Sequence, residues 1–192
     1  MAVAGGAAFT FCYTETVELL TAAGGDVVTV DPLRDESLPR GTGALVLGGG
    51  FPEVHASELS ANERLRADVA RLARSCAPVV AECAGLLYLA NELDGRPMCG
   101  VLDAAAKMTG HLTLGYRDAV ATSSSVLTTA GAEVRGHEFH RTTVVASHPG
   151  VRAWSYDGIK EGFVTAGVHA SYLHLHWAGY PAMARRLVEA AA

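Results

Sequence analysis

Several things are scarce in this 192-residue chain, and each scarcity excludes something. No stretch reaches the ~18 consecutive apolar residues of a membrane-crossing helix, so a membrane span is not expected. Met1–Thr10 has no basic flank ahead of its apolar residues and does not read as a secretory signal. The four cysteines, Cys12, Cys76, Cys83 and Cys99, contain no CxxC pair, which disfavours zinc-ribbon and thioredoxin-like readings. A chain of this length buries roughly 70% of its unfolded surface and needs no disulfide framework. Together these points predict a reduced, cytoplasmic protein. Lysine is rare: Lys107 and Lys160 are the only two. The 15 basic residues form no run and the net charge is −5, so nothing points to a nucleic-acid face. No Gly-x-x-x-x-Gly-Lys-Ser/Thr phosphate loop occurs.

What is present is ordinary globular composition, 49% hydrophobic and 18% charged. No internal repeat, linker or low-complexity tract interrupts it, so residues 1–192 read as one domain. The first half alternates strand-like and helix-like segments. Ala7–Phe11 is a short apolar run, read as the first strand, and Glu15–Ala23 is helical up to the stop at Gly24-Gly25. Val27–Val30 is a second strand, and Asp31–Thr42 is a loop with two prolines. Ala44–Leu47 is a third strand, running into Gly48-Gly49-Gly50. Ser60–Glu63 has the pattern of a capping box, followed by Leu65, Val69, Leu72 and Cys76 at helical spacing. Pro78 precedes the strand Val79–Ala81, and the apolar run Leu86–Leu93 predicts a buried helix closed by Asp94-Gly95. This alternation implies an α/β fold with a parallel sheet covered by helices on both faces. Residues 107–148, rich in Thr, Val and Gly, suggest several short strands; Val164–Leu173 suggests a strand pair or bend; Pro181 opens a last helix through Glu189.

Cys83 stands out because it follows a short strand and precedes a helix, with small Ala84 and Gly85 behind it. A nucleophile at such a turn projects above the sheet edge. The helix N-terminus offers free N–H groups that stabilise a thiolate and lower the thiol pKa. The Ala84 N–H is a candidate oxyanion donor. The competing reading is a buried small hydrophobe, which is what most free cysteines are, and local context alone leaves both open. Gly48–Gly50 closes a parallel strand, where ligands of open α/β sheets bind, and a Gly50 N–H is the candidate second donor. A flexible turn would look the same. His169, His174 and His176 supply candidate bases for a cysteine nucleophile. His174 and His176, two apart, would share one strand face, a spacing that zinc sites also use, with Cys83 or His140 as third ligand. No four-ligand set converges, so no metal is expected.

Five motifs occur in order: GGGFPE (Gly48–Glu53), AECAGLLYL (Ala81–Leu89), GYR (Gly115–Arg117), RGHEFH (Arg135–His140) and ASYLHLH (Ala170–His176). The ordered set resembles the C-terminal glutaminase domain of cobyrinate or hydrogenobyrinate a,c-diamide synthase, from about Val3 to Arg185. The resemblance implies a class I glutamine amidotransferase-like three-layer sandwich. It implies glutamine hydrolysis that supplies ammonia for ATP-dependent amidation of the a and c carboxylates of a corrin precursor in vitamin B12 biosynthesis. Cys83 would be the nucleophile and His174 the histidine that activates it. The glutaminase step would need no cofactor. ATP and Mg would serve a synthetase domain or subunit that is absent from this chain, through which the corrinoid is reached. The chain would then be an excised domain or a separately encoded subunit, and a homodimer is compatible with this reading.

Three departures from the wider family stand out. Ala81 and Leu87 flank the elbow where many relatives have Gly and Gln. Ala84 follows the cysteine where Gly is common. His176 stands two residues after His174, where a Glu usually orients the base; His176 is thus the candidate orienting residue, or the carboxylate comes from elsewhere. His137 and His140 read either as facing a partner, an ammonia path or a tetrapyrrole, or as ordinary strand residues. Alternative acceptors are cobyrate formation, a nickel-tetrapyrrole and a cell-wall glutamate. A degenerate domain that only binds a partner is the non-enzymatic alternative.

Overall fold

The computed structural model describes residues 1–148 and 150–192. One sheet carries six short strands: β1 (Ala2–Ala4), β2 (Val28–Val30), β3 (Leu45–Leu47), β4 (Val79–Glu82), β11 (Phe163–Thr165) and β12 (Val168–Ser171). Their order is β11-β12-β4-β3-β1-β2. All neighbours run parallel except the β11–β12 hairpin. Successive residues of a strand face opposite sides, so β1, β3 and β4 each feed two cores. Ala2, Ala4, Leu45, Leu47, Val79 and Ala81 pack with α2 (Ala56–Ala61), α3 (Glu63–Arg74) and α4 (Ala84–Leu89). Val3, Val46 and Val80 pack with α1 (Thr14–Ala22), α5 (Ala182–Ala190) and the 3-10 turn Trp177–Gly179. The result is the expected three-layer sandwich. Among the described residues no helix is long and apolar enough to cross a membrane.

A second, largely antiparallel sheet holds β5 (Glu92–Leu93), β6 (Arg96–Pro97), β7 (Ala104–Ala121), β8 (Glu133–Ala146), β9 (Trp154–Tyr156) and β10 (Ile159–Glu161). Residues 107–148 therefore do not form several short strands. They form most of one long hairpin, with a register shift between Met108 and Thr113. That irregularity breaks the alternation on which a sequence reading depends.

Other expectations are corrected. The first strand is Ala2–Ala4; Ala7–Phe11 instead loops over the sheet edge, with Phe11 bridged to Gly49. Asn62, not Ser60, caps α3, accepting from the Leu65 N–H at 3.3 Å. Its amide also donates to the Pro32 and Asp35 carbonyls, tying down the loop after β2. Ser60 lies inside α2. The helix predicted over Leu86–Leu93 stops at Leu89. The N–H groups of Cys99, Val101 and Leu102 take the Tyr88 and Leu89 carbonyls, which ends the helical ladder. Asp94 and Gly95, both at positive φ, then turn the β5–β6 hairpin instead of closing a helix.

Candidate active site

Cys83 ends β4 and begins α4 with φ 48° and ψ −97°. A non-glycine residue in this region carries backbone strain, and here the surroundings enforce it. The Cys83 N–H donates to the Ser171 carbonyl (2.8 Å), and the Cys83 carbonyl accepts from the Leu87 N–H (3.1 Å). Gly85 donates to the Gly48 carbonyl at 3.1 Å. A Cβ on Gly85 would stand 2.5 Å from the Leu47 carbonyl oxygen, so only glycine lets the elbow sit this close to β3.

The thiol is buried, 3.9 Å from the Phe139 carbonyl of β8. Burial pushes it up to about 12. The Ala84 N–H opposes this, and the carboxylates of Glu53, Glu82 and Glu161 add to it. The helix start is expected to lower the thiol, but desolvation by burial outweighs it. Glu82, the preceding residue, accepts from the Trp177 indole at 3.2 Å, and burial pushes its carboxyl up to about 7.

His174 lies beyond the end of β12 and is buried. Burial, then the neighbouring His137 and His140, lower it to about 4, so the ring is neutral near pH 7. The ring rests on Gly49, where a Cβ would meet Cε1 at 2.3 Å. Phe11 meets it edge-on, with centroids 6.4 Å apart. His174 and His176 do not share a strand face. His176 is exposed, packs edge-on against Tyr13, and has Nε2 3.6 Å from Glu15. The ring stacked on His174 belongs to His137, at 4.8 Å and 10°. Among the described residues, the histidines within 4.0 Å of a carboxylate oxygen are His140, His148 and His176, and His174 is not one of them.

Cys83, His174 and Gly50 line one cavity of about 150 Å³, together with Phe51, His137 and His140. Cavities of about this size accept a molecule the size of benzene, so the amide end of a small amino acid fits. A Cβ on Gly50 would collide with the Ala8 carbonyl oxygen at 2.1 Å, which keeps this loop tight against the Ala7–Phe11 segment. Beside the cavity, Glu138 is buried and accepts from Arg117 Nε (2.7 Å) and Tyr156 (3.0 Å), with His140 Nε2 at 3.4 Å. Burial raises its carboxyl, but the bonds from His140, Arg117 and Tyr156 outweigh burial and hold it below the usual carboxylate range. The His140 ring stacks on Tyr172 at 3.7 Å.

The sequence reading missed the position of His137. One signal was available: Gly136, beside it in RGHEFH, marks a close backbone approach. A Cβ there would stand 2.6 Å from the His174 carbonyl oxygen.

A family model described as a CobB/CobQ-like glutamine amidotransferase domain matches residues 1–182. The chain is similar to the hydrogenobyrinate a,c-diamide synthase of Streptomyces coelicolor, at 66% identity over 98% of the chain and 40% of that protein. It is also similar to the cobyrinate a,c-diamide synthase of a Synechococcus species, at 41% identity over 99% of the chain and 44% of that protein. The chain thus spans 40–44% of the length of these curated relatives. A solved glutamine amidotransferase matches it with a TM-score of 0.69 at 21% identity, covering 98% of both chains, a likeness of fold.

Proposed function

The chain belongs to the CobB/CobQ-like glutamine amidotransferase domain family, and from that premise we propose that it hydrolyses glutamine through Cys83 and His174. The observation that carries the reading is the positive-φ elbow that delivers Cys83 into the cavity it shares with His174. The ammonia serves amidation of the a and c carboxylates of hydrogenobyrinate or cobyrinate, the reaction for which the full-length relatives are named. ATP and Mg act in a synthetase domain, which corresponds to the part of those relatives that this chain does not match.

The steps follow from the groups present. His174 takes the Cys83 proton as sulfur adds to the glutamine amide carbon. The oxyanion accepts from the Ala84 N–H and the Gly50 N–H, each worth on the order of 3 kcal/mol. The C–N bond breaks as His174 returns the proton to the departing ammonia. Water then loses a proton to His174 and attacks the thioester, which releases glutamate and restores the thiol. In the free site both partners are uncharged, so the thiol is activated as His174 takes its proton during the attack.

The test is Cys83→Ser. Glutamine-driven amidation is lost while use of free ammonia survives, read as glutamate release and product formation with the synthetase domain present. Undiminished glutamine use by that variant would sink the assignment.

A further inference from the structure

We infer that His137 is the positioning residue for His174, taking the place of the orienting carboxylate that His174 lacks among the described residues. The inference rests on the reading of His174 as the base. Three observations join the two residues. Their backbones form a reciprocal bridge: the His137 N–H donates to the His174 carbonyl (3.1 Å), and the His174 N–H donates to the His137 carbonyl (2.9 Å). Their rings stack nearly parallel. Gly136 is required at the contact, because a side chain there would strike the His174 backbone and both flanking leucines, Leu173 and Leu175.

The segment from Leu173 to His176 is outside the regular strands, so its own ladder does not hold the ring. A carboxylate would orient an imidazole through one hydrogen bond. Here a flat neighbour restricts ring tilt on one face, while Gly49 and the edge of Phe11 close other sides. Stacking fixes the ring without supplying negative charge, so it favours a neutral base rather than a standing imidazolium. His137 and His174 both line the cavity that holds Cys83 and also a larger groove shared with Tyr13, Tyr116 and His176.

The experiment uses the full chain, alone and with an added ATP-dependent synthetase domain, and follows glutamate release from glutamine between pH 4 and 9. His137→Ala lowers kcat by about tenfold with little change in KM, since it frees the base and not the substrate. His137→Phe, which keeps a flat ring, restores most of that loss. In both variants the acid limb moves to higher pH, because His174 loses a neighbour that holds its pKa down. His140, which also lowers His174, is unaltered, as are Cys83, Glu53, Arg141, Tyr13, Tyr116, Arg135 and His176 around the two cavities, so the displacement reports His137. If His137→Ala is unfolded by circular dichroism, His137→Leu replaces it, filling the volume without a ring. An unchanged kcat and acid limb in an active, folded variant without the ring overturns this proposal alone. An inactive wild type in both settings, or a Cys83→Ser variant that still releases glutamate, overturns the underlying reading and the proposal with it.

Discussion

The two sheets build one site by opposite means. The central strands of the parallel sheet, β1, β3, β4 and β12, have three or four residues, nearly all buried, with successive side chains of β1, β3 and β4 committed to different cores. The β7–β8 hairpin uses strands of 18 and 14 residues and leaves large side chains in solvent, Leu114 at 62% and Tyr116 at 73% exposure. The first places Cys83 by packing that has no slack. The second brings the groups that modify it: the Phe139 carbonyl at the thiol, His137 on the base, and His140 at the cavity wall. A reactive residue is thus held by the part of the molecule that is expensive to deform, and its environment is set by the part that is cheap to deform.

That contrast can be tested from its largest consequence downward. Leu45→Ala in β3 removes a fully buried side chain and costs about 2–5 kcal/mol of stability, read as a shifted midpoint in urea unfolding. A cost below ~1 kcal/mol would mean that the parallel sheet is as forgiving as the hairpin. Alkylation sharpens the comparison at the site itself. With its thiol pushed up to about 12, Cys83 reacts with iodoacetamide ~100-fold more slowly at pH 7 than exposed Cys76, read by peptide mass spectrometry. Its rate climbs about tenfold per pH unit from 6 to 9, because the thiolate fraction rises with pH and stays small throughout. Equal rates for the two cysteines would show that the hairpin does not desolvate the thiol. The smallest effect belongs to Tyr116→Ala on the exposed hairpin face, which changes unfolding stability by no more than about 0.5 kcal/mol. A larger loss would give the hairpin a structural burden that its exposure denies.

The parallel half was readable because its rules are local. Val79–Ala81, Cys83, Ala84 and Gly85 are consecutive, and strand, elbow and helix follow from their order. Gly48–Gly50 at the end of β3 was readable for the same reason. The hairpin half was not. The contact between His137 and His174 joins residues far apart in the chain, and no spacing announces it. The elevated thiol has the same origin. The helix start beside Cys83 is visible in sequence, whereas the strand that covers the sulfur comes 56 residues later. Helix ends failed for a related reason. Residues Leu86–Ala90 are apolar and carry no stop signal at Leu89, and it is the returning segment near Cys99 and Val101 that decides where α4 stops.

Gly49 and Gly136 both crowd His174, but against different atoms: Gly49 faces the ring and Gly136 faces the backbone carbonyl. In evolutionary terms the two glycines are under unequal constraint. A lineage that gave up glutamine chemistry and replaced His174 with a small residue would relax position 49, leaving the Phe11 Cβ at 3.1 Å as the tightest neighbour there. Position 136 would stay glycine, because every residue has a carbonyl. A side chain at residue 49 would then mark a descendant that had parted with its base.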